Sequence, residues 1–172
     1  MPTRRHFPKA LVMQPISDSD LLASFVNVSV RERKAIPVPQ DVDWDKRDFL
    51  GWRDPKLPLV GYVVIPTADD LIGIQLRETA QKALRRPQCA WCEDVTLPNE
   101  VVFFSAKRAG AAGRNHNTIG TLICSGFECN ANVRKPPPLA YNGFDLDAAR
   151  WQRMEHLRET VTAFARSVTA EV

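Results

Sequence analysis

The chain has 172 residues, of which 44% are hydrophobic and 25% are charged, a composition typical of one folded globular domain. Its net charge of +3 at pH 7 is too small to identify a partner, and no run of about 18 apolar residues suggests a membrane span. The first 20 residues lack the sustained apolar stretch of a signal peptide. We therefore expect a cytoplasmic, monomeric protein.

The first part of the chain predicts helices. Residues 1–16 show no periodic pattern and are predicted to form a flexible leader. The run Ser-Asp-Ser-Asp at 17–20 offers side-chain oxygens that can cap a helix before a group of apolar residues. We expect a helix from 17 to 35, ended by Pro37 because proline cannot continue a helix.

A short helix is predicted next, at residues 44–50, with Gly51 as its end. The sequence GWRDP at 51–55 is typical of a turn. Residues 17–58 together form the predicted helical part of the domain.

Residues 60–77 are compatible with two structures. A capping-box-like pattern favours a helix, whereas two β-rich runs, VGYVVI and LIGIQLR, favour a hairpin. Gly73 disfavours a helix interior and Pro66 suits a strand end, so we predict the hairpin. A brief basic helix is predicted at 78–86.

Two further strands are predicted, within VTLPNEVVFFSAKR at 95–108 and at TIGTLIC, 118–124. A run of prolines begins a predicted linker, 136–144, which leads to a final helix at 145–168 with Asp145 as its cap. Apolar residues recur in that helix at spacings of three and four and predict a buried stripe: Met154, Leu157, Val161, Phe164 and Val168.

The four cysteines form two close pairs, Cys89-x-x-Cys92 and Cys124-x4-Cys129, with 31 residues between the pairs. Each pair can supply two corners of a tetrahedral zinc site with bonds of about 2.3 Å. Four protein ligands leave no position for a catalytic water, so such a zinc would be structural. Two disulfides or a redox-active pair are the alternatives; the expected compartment and the missing βαβ context favour metal.

A cysteine knuckle, a hairpin and a ligand-bearing helical turn follow one another in the order of a treble-clef finger. We therefore predict an α+β fold, in which N-terminal and C-terminal helices pack around a β-hairpin region and a four-cysteine treble-clef zinc finger. The finger is placed at 87–135, within a β-rich part at 60–135 and a single domain at 17–168.

Basic residues are in excess between residues 105 and 135. One acid, Glu128, stands against five bases: Lys107, Arg108, Arg114, Arg134 and Lys135. A four-thiolate zinc carries two negative charges, so part of this excess can balance the metal. The remainder fits either a solvated basic face or a surface for an acidic partner.

Several strings resemble a known family. DFLGWRDP at 48–55, CAWC at 89–92, AKRAGAAGRNHNTIGTLIC at 106–124 and the amphipathic final helix are similar to the FBP-domain proteins of the FusB-type elongation factor G-binding family, and to its actinobacterial members in particular. The resemblance runs from about residue 21 to residue 168. It implies one structural Zn²⁺ held by four ligands: Cys89, Cys92, Cys124 and Cys129.

The resemblance also implies a function. Proteins of this type bind elongation factor G and modulate its release from the ribosome, including ribosomes blocked by fusidic acid, and they are not enzymes. We expect partner contacts near the finger, at Trp91, Lys107, Arg108, Arg114 and Phe127. The alternative is a zinc finger that binds rRNA or another nucleic acid through the same basic residues. The sequence offers no catalytic constellation, so an enzyme is not expected.

Overall fold

A five-stranded antiparallel sheet organises the computed structural model, which describes residues 12–170. The strands are β1 (Leu50–Arg53), β2 (Val60–Pro66), β3 (Leu71–Glu78), β4 (Val101–Lys107) and β5 (Thr118–Cys124). They lie side by side in chain order, each paired with the next. The predicted hairpin is confirmed as β2 and β3, and both later strands are present as β4 and β5.

Five α-helices accompany the sheet within residues 12–170. They are α1 (Asp18–Ala23), α2 (Val30–Ala35), α3 (Gly110–Arg114), α4 (Cys129–Arg134) and α5 (Leu146–Thr169). None of these helices combines the length and the apolar character that crossing a membrane would require. The α+β class predicted from the sequence is confirmed.

Helix α5 covers one face of the sheet. The Asp145 carboxylate caps it as predicted, accepting a hydrogen bond from the Ala148 amide at 2.9 Å. Its apolar stripe packs into the main core with inner-face residues such as Ile74 and Phe104, while Met154 is partly buried at the edge. The stripe predicted as core is confirmed, with four of its members buried: Leu157, Val161, Phe164 and Val168.

Replacing Phe164 by alanine is expected to lower the free energy of unfolding by about 3 kcal/mol, the usual cost of emptying a buried aromatic site. The Phe164 side chain is 8% exposed, and its ring centroid lies 5.5 Å from that of Trp91. Denaturant unfolding measures the change, with Gln152→Ala on the exposed side of α5 as the control. Normal stability combined with lost partner binding would instead assign the stripe to an interface.

The opposite, outer face of the sheet is covered along β1, β2 and part of β3. Side chains alternate along a strand, so Tyr62 and Val64 point away from α5. They pack in a second core with N-terminal residues, among them Phe25, whose ring meets that of Tyr62 edge-on at 5.9 Å. On the outer face of β4, by contrast, Phe103 and Lys107 are exposed.

The predicted single helix over 17–35 is wrong, because two helices flank a bent segment with one β-bridge, from Phe25 to Gly73. Ser29 starts α2 with a capping box: its hydroxyl accepts from the Glu32 amide at 3.2 Å, and the Glu32 carboxylate accepts from the Ser29 amide at 2.7 Å. A serine followed three residues later by glutamate is the sequence signature of a new helix start.

The segment between α1 and α2, residues 24–29, lies beside β3 where β3 and β4 do not pair. Strands β3 and β4 pair at two positions, whereas β2 and β3 pair at seven. Beside the gap, the Val26 amide donates to the Gly73 carbonyl at 2.9 Å. The Asn27 amide group donates to the carbonyls of Gln75 and Lys107 at 2.9 and 3.1 Å, and its oxygen accepts from the Gln75 amide at 2.8 Å. One side chain thus bridges the two strands where they separate.

The helix predicted at 44–50 is reduced to a 3₁₀ turn at Trp44–Lys46. The residues predicted as a turn after Gly51 belong largely to β1, so both expectations are wrong here. Trp52 lies opposite Tyr62 on β2, with ring centroids 5.3 Å apart. Such cross-strand aromatic pairs stabilise a sheet and here outweigh the local turn signals.

The basic helix predicted at 78–86 is not observed among the described residues. Strand β3 continues through Glu78, and the Thr79 amide donates to the Phe103 carbonyl at 3.0 Å. The chain then forms turns and bends up to the first cysteine pair. Pairing with β4 holds the start of this segment extended, which prevents helical hydrogen bonding there.

The flexible leader predicted at 1–16 falls partly outside the described residues, which begin at residue 12. At its other end, Met13 is 4% exposed and its amide donates to the Arg47 carbonyl at 2.9 Å. This end of the predicted leader is therefore packed, because Met13 joins the second core.

Candidate metal centre

The first cysteine pair lies on a tight turn that is attached to β5. The Cys92 amide donates to the Cys89 sulfur at 3.5 Å, which curls the turn around that sulfur. The Ala90 amide donates to the Leu122 carbonyl at 2.7 Å and fixes the turn against the strand. Both sulfurs are thereby directed towards the end of β5.

The second pair spans the end of β5 and the start of α4. Cys124 is the last residue of β5, and Cys129 is the first residue of α4. Between them, the Phe127 amide donates to the Cys124 carbonyl at 3.0 Å, and Phe127 has a left-handed backbone with φ of 59°. The predicted helical turn that carries the fourth cysteine is confirmed.

The four sulfurs have the geometry of a tetrahedral thiolate site. Cys89 Sγ lies 3.6 Å from Cys129 Sγ, Cys92 Sγ lies 3.7 Å from Cys124 Sγ, and all four sulfurs fall within 4.8 Å of one another. A tetrahedral ion with bonds of about 2.3 Å separates its ligands by about 3.8 Å. A disulfide needs about 2.0 Å, so the arrangement fits a metal ion and not paired disulfides.

The thiols also influence one another's protonation. Hydrogen bonding to Cys124, and then to Cys129, lowers the pKa of Cys89 below its usual range and that of Cys92 to about 6. Contacts with Cys124, Cys89 and Cys92 raise the pKa of Cys129 well above its usual value. A divalent cation bound among the sulfurs would offset the charge of four thiolates.

A buried asparagine supports the cluster from α4. Asn132 is 1% exposed, and its amide nitrogen lies 3.5 Å from the sulfurs of both Cys92 and Cys124. A neutral donor to two sulfurs stabilises their thiolate form and orients them around an ion. This role was not predicted from the sequence, where the available signal is an amide side chain three residues after Cys129, close to one turn of a helix.

This chain matches the FBP C-terminal treble-clef zinc-finger family over residues 20–168. It belongs to that family. The family and the buried four-cysteine cluster identify the cofactor as one structural zinc ion, and the cluster fits it in donor type, number and spacing. When bound, zinc holds two distant segments of chain together.

The FBP-family domain also has a solved structural neighbour. The structure of the fusidic acid resistance protein FusC superposes with a TM-score of 0.57 at 20% sequence identity, covering 88% of this chain. The match extends over 59% of the FusC chain, so the likeness shows a shared fold over part of that protein. Among curated proteins, no significant match is found.

A second asparagine of α4 fastens the finger to the rest of the domain. Asn130 Oδ1 accepts from the Asp48 amide at 2.7 Å, and its amide nitrogen donates to the Phe49 carbonyl at 2.8 Å. The buried Asp48 carboxylate in turn accepts from Arg134 at 2.6 Å and Arg158 at 2.8 Å. This network, which sequence reasoning missed, connects α4, α5 and the segment before β1.

Two of the predicted partner contacts are buried side chains in this structure. Trp91 is 1% exposed and packs between Phe49 and Phe164, with centroid distances of 5.1 and 5.5 Å. Phe127 is 3% exposed and stacks on Phe104 at 5.5 Å. Both rings are core residues of this FBP domain, and no partner surface can reach them in this conformation.

The three predicted basic contacts divide into two kinds. Arg108 is partly buried, and its guanidinium donates to the Ser167 carbonyl near the end of α5. It therefore ties β4 to the final helix and is not free for a partner. Lys107 and Arg114 are exposed and form no salt bridge within residues 12–170.

Proposed function

We propose that this protein binds elongation factor G and modulates its release from the ribosome, acting in the cytoplasm by binding and not by catalysis. Membership of the FBP family supports the proposal. So does the shared fold with FusC, a fusidic acid resistance protein. We propose zinc as the element that holds the binding surface in place.

The observation that carries the proposal is the exposed basic tip of the β4–α3–β5 hairpin, which we call the hairpin tip and define by Lys107 and Arg114. Neither side chain forms a hydrogen bond or a salt bridge within the described residues, so both positive charges can meet an acidic surface. Lys107 acts electrostatically at some distance, since its charge helps lower the pKa of Glu32 after the stronger effect of Ser29. Complementary charge speeds association and selects partners.

The hairpin tip is held in place before any partner arrives. The Arg108 amide donates to the Asn117 carbonyl at 3.0 Å, which closes the base of the tip. The Ala109 amide donates to the Val168 carbonyl at 2.9 Å, which fixes the tip to the end of α5. A restrained loop loses little conformational freedom on binding, so more of the contact free energy appears as affinity.

The double substitution Lys107→Ala and Arg114→Ala is expected to weaken binding to elongation factor G by about tenfold or more, a change of about 1.4 kcal/mol per factor of ten. Titration calorimetry with nuclease-treated proteins from the same organism, without ribosomes, measures it. Zinc content and melting temperature should remain unchanged because both side chains are exposed. Arg108 is kept in this variant because it supports the fold.

The matched control is Lys46→Ala with Lys56→Ala, which removes the same charge at exposed positions elsewhere. Equal weakening by the control would show a net-charge effect and not a defined contact. If the unaltered protein shows no detectable binding at concentrations on the order of 100 μM, the proposed function itself is contradicted. Only a complex with a Kd of about 1 mM or weaker would escape detection at these concentrations.

A further inference from the structure

The outer face of β4 and β5 carries a half-exposed aromatic ring beside a cavity. Phe103 is 44% exposed, although its neighbours along β4, Val102 and Phe104, are buried. The far edge of the Phe103 ring lies over Gly120 of β5, where an added β-carbon would come within 2.1 Å of Cζ. Glycine at 120 thus leaves room for the ring to lie across the sheet.

The cavity next to this ring has a volume of about 530 Å³, within the usual size range of ligand sites. It lies between the segment at 79–88 and the first residues of β4. Phe103 and Leu122 form its apolar side, and the facing segment contributes Lys82, Arg85 and Arg86. We call this surface, with the neighbouring Arg77 of β3, the Phe103 face.

The unpaired charge of the Phe103 face is positive. Its two carboxylates are engaged, since Glu100 pairs with Lys82 at 3.0 Å and Glu78 pairs with an arginine on β1. Arg77 and Arg85 are exposed, and neither side chain has a salt bridge or hydrogen bond within residues 12–170. An anionic ligand can therefore approach without breaking existing ion pairs.

We propose that the Phe103 face binds single-stranded RNA, with a base stacked on Phe103 and phosphates close to Arg77 and Arg85. An aromatic ring displayed on a sheet and bordered by guanidinium groups matches the chemistry of unpaired bases and their backbone. The choice of RNA over DNA rests on the proposed function, which places the protein at the ribosome.

An acidic protein segment fits the same face less well. Its carboxylates could pair with the guanidinium groups, but an extended peptide typically also forms backbone hydrogen bonds along the edge of a sheet, here the edge of β5. Next to the Phe103 face, the outer edge of β5 already has a hydrogen-bond partner, because the Leu122 carbonyl accepts from the Ala90 amide. The exposed ring face, which every base can stack on, gives nucleic acid a contact that an acidic side chain cannot make.

The Phe103 face adjoins the hairpin tip but shares no residue with it. Phe103 and Lys107 are four residues apart on β4, a distance of about 13 Å along the strand. The two proposed contacts use different side chains, so each can be altered by its own substitutions.

The test uses the full zinc-loaded chain and a fluorescein-labelled single-stranded RNA of mixed sequence, about 12 nucleotides long, measured by fluorescence anisotropy at several salt concentrations. Phe103→Ala is expected to weaken binding by about tenfold or more, whereas Phe103→Tyr should retain it because the ring remains. Removing Arg77 and Arg85 together should reduce the slope of log Kd against log salt concentration by about 1.4, since each phosphate contact contributes about 0.7.

The control variants are Lys46→Ala and Lys56→Ala, which leave the Phe103 face intact. Unchanged RNA affinity in both Phe103→Ala and the Arg77 and Arg85 variant would overturn the proposal. So would equal competition by polyglutamate, which would indicate an acidic protein partner, or clearly tighter binding of DNA of the same sequence. Each variant is also titrated with elongation factor G. If RNA binding is lost while the affinity for elongation factor G is unchanged, the effect belongs to the Phe103 face. If no binding of elongation factor G is detected, the result counts against the proposed function.

Discussion

Replacing Cys92 or Cys124 by serine should remove bound zinc and most of the stability of the domain. Binding of a structural zinc contributes on the order of 10 kcal/mol to folding. Whole domains are stable by only about 5–15 kcal/mol. Since the sulfurs join the turn at Cys89, the end of β5 and the start of α4, losing one ligand should loosen residues 85 to 135.

Elemental analysis should give close to one equivalent of zinc for the unaltered protein and much less for either variant, with a lower melting temperature. The matched control is Ala90→Ser, which introduces the same hydroxyl at an exposed position of the same turn but keeps every ligand. Full zinc occupancy and an unchanged melting temperature in both cysteine variants would remove the assigned site.

The second large effect is expected at Asp48. Its side chain is fully buried and lies between Arg134 and Arg158, whose side chains are each 19% exposed. Within the described residues, Asp48→Ala would leave Arg134 without a carboxylate partner and Arg158 paired with Glu155 alone. Removing one partner from such a buried ionic group costs about 3–5 kcal/mol. Denaturant unfolding of the zinc-loaded protein measures the loss.

Asp43→Ala is the control for this substitution, because Asp43 forms an exposed pair with Lys46 at 2.8 Å. Exposed pairs contribute little to stability, so the control should unfold close to the unaltered protein. Asp48→Asn should fall between the two, since it keeps an acceptor but removes the charge. Equal midpoints for Asp48→Ala and the control would show that the network carries no net stabilisation.

The elements that were predictable from the sequence depend on short-range spacing. The cysteine pairs are each a few residues apart, so their common site could be inferred without knowing the fold. The stripe of α5 repeats with the helical period, and Gly73 and Pro66 were enough to choose a hairpin for β2 and β3. In each case the deciding signal is a spacing or a residue type among near neighbours in the sequence.

The missed features depend on residues that are far apart in sequence. Trp91 is buried because Phe49 and Phe164 enclose it, and neither neighbour is visible in the sequence CAWC. Arg108 was predicted as a partner contact, but its guanidinium donates to the Ser167 carbonyl near the end of α5, which lies 59 residues further along the chain. Strand β1 is short, and its pairing with β2 overrides the local preference of GWRDP for a turn.

Asn27 joins β3 to β4 from outside the sheet. Its bonds to β3 and β4 join residues 48 and 80 positions away. A fragment that began at residue 30 would contain every strand and all four cysteines, yet it would lack the hydrogen bonds of Asn27 to β3 and β4, which pair directly at two positions. The junction between β3 and β4 therefore depends on a residue that lies outside the sheet, more than 20 positions before its first strand.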